Sequence, residues 1–448
     1  MFPLPLTCLE EYLLCDDHPG YPMTGFFRLR FSGFLDPPVF QAALNATVQR
    51  HPLLRGTIRK TPFRHPEWVD HPEWLPEIQW HAKSMENGFP QTDHLDPQQE
   101  PASRFWVMDR SDGNDFIAQV HHCCTDAQGM NIFFEDILIC YAAKKDRRNN
   151  DICLRNLEPQ RLLSRCSATK LRRKFLRMVR NRSVGLRGVC RFLMRSPVQL
   201  SGKKYLVGSN ETGFRTPNPH AFEFDPVETE NIFAAARKFK VNVNELLIRD
   251  LFLTCSSWRR ERGIGNNGDW LRFSIPISLR TVAEERMPMA NSFSMVFLDR
   301  QTADMADKIQ LLRSISDQLQ RFKQSEQGYT FLLSLAVTRN LPGGLARMVR
   351  KDTCYSTSCF SNIGRILTRT PLPRTDGKIV AGNLVLESID FVIPVRPHMD
   401  VAFCAGIYAG RLRILMNRDP HTISEEQGRG LLEKYVLQIR NTVSSSQQ

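Results

Sequence analysis

The chain has no apolar run near the roughly 20 residues that a bilayer-spanning helix requires. It also lacks paired cysteine spacing: twelve cysteines are scattered along the sequence and none forms a C-x-x-C. Neither a zinc ribbon nor a disulfide framework is therefore expected, and reduced thiols in a cytosolic interior are. No basic residue precedes the apolar opening Met1-Phe2-Pro3-Leu4-Pro5-Leu6, and Glu10 and Glu11 follow soon after. A secretory signal is not expected, and the expected location is the cytoplasm. Apolar content of 42% with 24% charged residues argues against global disorder.

Acidic side chains are scarce in one place. Residues 141–205 carry 19 Lys and Arg against 3 Asp and Glu, a net +16 in a chain whose total is +13, so the rest is about −3. One segment holds the whole basic excess. Within it Leu171, Phe175, Met178, Val179, Leu186, Val189 and Leu193 recur at three- and four-residue intervals, and arginines fill most other faces. Gly185 and Gly188 weaken a single long helix, so two short ones are expected. Three readings stand for this segment: solvated helix faces over a junction between lobes, attraction to coenzyme A or an acidic acyl carrier protein, and peripheral contact with an anionic membrane surface. No nucleic-acid-binding module is recognisable.

A length of 448 residues is too great for one simple core and implies two lobes. Strands are expected near 25–32, 115–120, 270–277, 292–298, 384–395, 401–409 and 411–417. Helices are expected at 37–50 behind an Asp36 cap, and at 130–143, 227–238, 244–260, 303–322 and 424–443. The division expected is 1–165, a basic helical linker at 166–205, and 206–448.

The most informative stretch is His121-His122-Cys123-Cys124-Thr125-Asp126, at the end of the apolar run 116–120. Imidazole titrates near about 6.5, so a neutral histidine there can accept a proton at cellular pH. Metal binding is the obvious rival. Adjacent residues on extended chain point to opposite faces, so four in a row cannot close a tetrahedral cage. A cysteine nucleophile activated by an imidazole is the other alternative.

Further motifs follow in order: Arg50-His51-Pro52-Leu53-Leu54-Arg55, then the histidine element, then Pro276-Ile277-Ser278-Leu279-Arg280, Asn291 and Ser361-Asn362-Ile363-Gly364. The set resembles the condensation-domain, chloramphenicol-acetyltransferase-like superfamily, over nearly the whole chain. That resemblance implies an α/β fold of mixed sheets in two acetyltransferase-like lobes with a channel between them. It implies an acyltransferase that moves groups other than aminoacyl from a coenzyme A or carrier-protein thioester to a hydroxyl or amine. His122 would be the base, with His121 packing and orienting the loop. Backbone N–H groups after Asp126, at Ala127 and Gly129, and the Ser361 hydroxyl, with Asn362 beside it, would bind substrate and oxyanion. Asp126 would turn from the channel and pair with Arg280, or failing that Arg55. No metal or redox cofactor is implied.

Two departures from the family pattern stand out. Ala127 occupies the position after the aspartate where the family has glycine, which supports an alternative: a catalytically inactive relative that binds an acyl carrier or lipid as an adaptor. No Asp-Phe-Gly-Trp-Gly signature, carrier-protein serine motif or adenylation segment is present, which disfavours the plant acyltransferase branch and a multimodular synthetase fragment.

Overall fold

The computed structural model describes residues 1–447 except 82–87, 146–152, 166–167, 181–185, 203–215 and 350–352. Gly185, expected to break the basic helix, lies outside the described residues.

Two mixed sheets form the scaffold. The first has seven strands, in the order Arg374–Thr375, Lys378–Ala381, Leu384–Val392, Thr24–Ser32, Gly113–His121, Ser103–Arg110 and Ile78–Gln79. The second has six, in the order Phe293–Gln301, Trp270–Ser278, Ser358–Arg365, Val401–Tyr408, Arg411–Arg418 and His220–Glu223. Each sheet has its own hydrophobic core of helix-covered residues.

Gly113–His121 shows why the sequence folds this way. It is buried along its whole length, so both faces must be covered, and its near-continuous apolar run meets that demand. Phe116 packs on Phe40 at 5.0 Å between ring centroids, under the helix Pro37–Arg50. On the opposite face Ile117 joins a cluster that contains Leu415 of the second sheet. Asp36 caps the helix Pro37–Arg50 through Val39 N–H, as its position before two prolines suggests. The expected helix at 303–322 instead starts at Lys308, because the Asp307 carboxylate accepts from Ile309 and Gln310 N–H at 2.9 Å each. The residues before it, Thr302–Met305, form a 3₁₀ turn.

The expected division at 206 does not match the sheets. Leu384–Val392 pairs antiparallel with Thr24–Ser32, placing Phe391 opposite Phe27, and the preceding strands extend the same sheet. The first lobe is thus completed by chain from the second half. Ring contacts of Phe27 and Phe134 with Phe391 hold the crossing strand in place. The basic segment does form two helices, Ala168–Arg180 and Leu186–Met194. No helix among the described residues is long and apolar enough to cross a membrane.

Candidate active site

The central strand ends at His121 and the helix Ala127–Lys145 begins six residues later, so the histidine loop is a tight link between two rigid elements. Its start is pinned by His122 N–H donating to the Met23 carbonyl at 2.7 Å. Its end is pinned by Asp126, which caps the helix: its carbonyl accepts from Met130 N–H and its Oδ1 from Gly129 N–H at 2.8 Å. Between them, His122 Nδ1 lies 2.8 Å from the Thr125 carbonyl oxygen. A carbonyl only accepts, so Nδ1 carries the proton and the lone pair sits on Nε2. The ring lies on Phe293, 5.3 Å between centroids and 17° from parallel. Burial holds the His122 imidazole below its ordinary titration range, so the ring is neutral at pH 7.

Asp126 is fully engaged away from the His122 ring. Its Oδ2 accepts from Ser292 N–H at 2.8 Å, and its Oδ1 meets Arg280 Nη2 at 3.3 Å. Arg280 also donates to the Ala290 carbonyl at 2.7 Å. Arg55, the second candidate partner, binds Asp70 instead through two contacts of 2.7 and 3.0 Å. It follows the turn Pro52–Leu54, and Asp70, just past the strand Glu67–Val69, is the carboxylate within its reach.

His121 is buried, with Nδ1 accepting from Cys123 N–H at 3.2 Å and Nε2 3.5 Å from the Asp17 carboxylate. Burial alone would raise Asp17, but hydrogen bonds from His121 and His94 outweigh it and hold the carboxyl well below the usual range. Burial pushes the Cys123 and Cys124 thiols far up, which is the opposite of what a thiolate nucleophile needs. Among the described residues no group of three or more His, Cys, Asp and Glu side chains is placed to hold a metal ion.

Ala127 is the first residue of a helix and has no positive φ, so this position does not demand glycine. Gly129 does: a Cβ there would fall 2.2 Å from Thr125 Oγ1. Its N–H is spent on Asp126, so Gly129 cannot serve an oxyanion and instead permits the tight turn. The N–H groups of Ala127 and Gln128 have no intrahelical acceptor by helix geometry, and both residues line the cavity described below.

Asn291 matters more than its sequence neighbourhood suggested. Its Nδ2 donates to both the His122 and Cys123 carbonyls at 2.7 Å. Two residues earlier, Met289 N–H donates to His51 Nδ1 at 3.1 Å, which leaves His51 Nε2–H to face Asp136 at 3.2 Å. Residues 279–292 of the second lobe therefore clamp the histidine loop of the first. The Leu-Arg and Asn motifs supply this clamp, and the Arg-His motif receives it.

A cavity of about 500 Å³ lies between the lobes, with His122, Ser361 and Asn362 in its wall. Most of the lining is apolar, with Phe27, Phe297, Phe331 and Met295 prominent. Asn362 Oδ1 accepts from Gly364 N–H at 2.9 Å across a bulge in Ser358–Arg365, which turns this strand at the cavity wall. Gln128 Nε2 donates to the Ile363 carbonyl at 3.2 Å, tying the helix that follows the histidine loop to that strand.

The sequence matches no family model and no curated protein. Solved structures do resemble it. The first condensation domain of the CDA synthetase shares 17% identity at a TM-score of 0.69, covering 98% of this chain and 96% of that one. The epimerization domain from the third module of tyrocidine synthetase B shares 14% at 0.67, covering 99% and 97%. Polyketide synthase associated protein 5 from Mycobacterium tuberculosis shares 15% at 0.64, covering 99% and 98%. Likeness at such identities speaks to architecture alone: this chain has the fold of these condensation and epimerization domains.

Proposed function

We propose that the protein transfers an acyl group from a coenzyme A or carrier-protein thioester to a hydroxyl or amine, with His122 as general base. One observation carries this reading: a neutral imidazole, its tautomer fixed by the Thr125 carbonyl, in the wall of a largely apolar cavity between two lobes. Nε2 takes the proton from the acceptor O–H or N–H as that atom attacks the thioester carbonyl. The tetrahedral oxyanion is met by N–H groups of Ala127 and Gln128 and by the Ser361 hydroxyl. Collapse breaks the C–S bond, and the departing sulfur takes the proton back from the imidazolium. No covalent enzyme intermediate is needed, so positioning of the two substrates supplies much of the rate.

A second cleft, about 470 Å³, shares Val392 and Pro394 with the first. Two approaches to one region suit a reaction of two separately delivered substrates. The inactive-adaptor reading drew on Ala127, and a helical residue that needs no glycine removes that support.

The test is incubation with a panel of acyl-coenzyme A thioesters and nucleophiles while free thiol is followed. His122→Ala is expected to lose about 10²- to 10⁴-fold in rate with thermal unfolding nearly unchanged. Full turnover in that variant would remove the mechanism.

A further inference from the structure

The helix Ala168–Arg180 buries Leu171 and Met178 against the body of the protein. Its outward side is not simply polar. Phe175, Leu176 and Val179 stand exposed, Leu176 at 56%, with Arg172, Arg173 and Arg180 exposed beside them. None of the ion pairs among the described residues includes those three arginines. From Ala168 to Arg195 the sequence has ten Lys and Arg and no Asp or Glu. The next helix, Leu186–Met194, is anchored by Phe192, which packs on Phe297 at 4.8 Å and lies under the Arg272 guanidinium.

This second helix reaches the active-site cavity. Phe192 and Leu193 line it, yet Leu193 is 75% exposed. A residue that both lines a cavity and faces solvent marks its mouth. Leu341, at 55% exposure, and the exposed Arg347 line the cavity as well. The mouth thus has the same chemistry as the helix beside it: large apolar side chains among cations.

We propose that this basic helix pair seats the cavity mouth on an anionic lipid bilayer surface. A helix with arginines flanking an uncovered apolar strip can lie flat in a headgroup layer, its cations on lipid phosphates and its apolar side chains at the acyl boundary. One surface that offers both partners to the same helix face is a bilayer, with phosphates for Arg172, Arg173 and Arg180 and an acyl boundary for Phe175, Leu176 and Val179. Resting on the acyl-transfer reading, docking delivers an apolar acyl substrate into an apolar cavity without passage through water.

The full chain is mixed with phosphatidylcholine vesicles, with and without phosphatidylglycerol, and sedimented at low and at high salt. Binding is expected only with phosphatidylglycerol present, and weaker at high salt. Arg172→Gln with Arg173→Gln is expected to weaken partitioning about 25-fold, about fivefold for each cation. Leu176→Gln with Val179→Gln is expected to weaken it at unchanged charge. Equal binding to both vesicle types, no binding at low salt, an apolar pair that binds like the parent, or retention on an acidic acyl carrier protein in place of vesicles would each overturn the proposal. Vesicle binding without acyl transfer from any donor leaves docking intact and sinks the reaction. Turnover of a soluble thioester without vesicle binding does the reverse. His122→Ala should bind vesicles like the parent.

Discussion

At the scale of single residues, the proposed chemistry rests on how one ring is held. The Thr125 carbonyl fixes the proton on Nδ1, Phe293 supports the ring, and burial disfavours the imidazolium. Because the folded titration point lies below the ordinary value of about 6.5, His122 stays unprotonated, as the proposed base must be, until the pH falls beneath that lowered point. Below about 6.5 the same shift costs stability, since the unfolded chain binds the proton first. A pH profile of thioester transfer should therefore show its acid limb below about 6.5, absent from residual turnover in His122→Ala. A limb above that value would contradict the neutral ring.

His122 was legible in the sequence because a histidine pair and an aspartate closed an apolar run. Asn291 was legible only as a residue in a motif. Nothing in its spacing says that an amide eleven residues after Arg280 will donate to two carbonyls of the histidine loop.

At the scale of elements, the decisive unit is the start of the helix Ala127–Lys145. Asp126 caps it, pairs with Arg280 and receives Ser292 N–H, so one carboxylate joins the helix, the loop and the second lobe. Asp126→Asn keeps the shape but removes the charge facing a buried guanidinium, and places an amide N–H against at least one backbone N–H. The expected cost is about 3–5 kcal/mol, read as a shift of the urea midpoint, together with slower transfer. An unchanged midpoint would mean that the capping and pairing contribute nothing.

Elements with strong periodicity or caps, such as Pro37–Arg50 and Gly113–His121, were plain in the sequence. Ser103–Arg110 and Ser358–Arg365 were not. The first carries arginines at both ends and an aspartate, and the second has a serine, an asparagine and a glycine where it bulges at the cavity. Their strand character comes from neighbours: Ser103–Arg110 pairs along its length with Gly113–His121, and Ser358–Arg365 runs parallel between two other strands.

At the scale of the whole molecule, the two sheets are joined through a buried carboxylate. Asp390, on the strand that crosses into the first sheet, lies between Arg28 of that sheet and Arg413 of the second. Burial would raise its titration, but the two guanidinium groups outweigh it and hold the carboxyl below its usual range. Its stabilisation is present above the ordinary carboxylate value near about 3.9 and is lost as the pH falls through the lower folded value. Asp390→Asn should destabilise toward the lower end of about 3–5 kcal/mol, because Arg28 and Arg413 keep weaker partners in Asp115 and Glu223. Differential scanning calorimetry at pH 7 reads the effect, and a melting temperature equal to the parent's would count against the joint.

The sequence alone determined what short-range chemistry can determine: where apolar periodicity makes helices and strands, which residues cap them, that a basic excess is confined to one segment, and that a histidine sits at the end of a buried strand. Only the tertiary structure decided that strands near the end of the chain complete the first sheet, that 279–292 clamps the histidine loop, and that a cavity opens beside an exposed Leu193. The physical reason is range. Caps and periodicity act within a few residues, whereas a sheet partner or a buried counter-charge is chosen by whatever surface the folded chain brings near, at any separation along it.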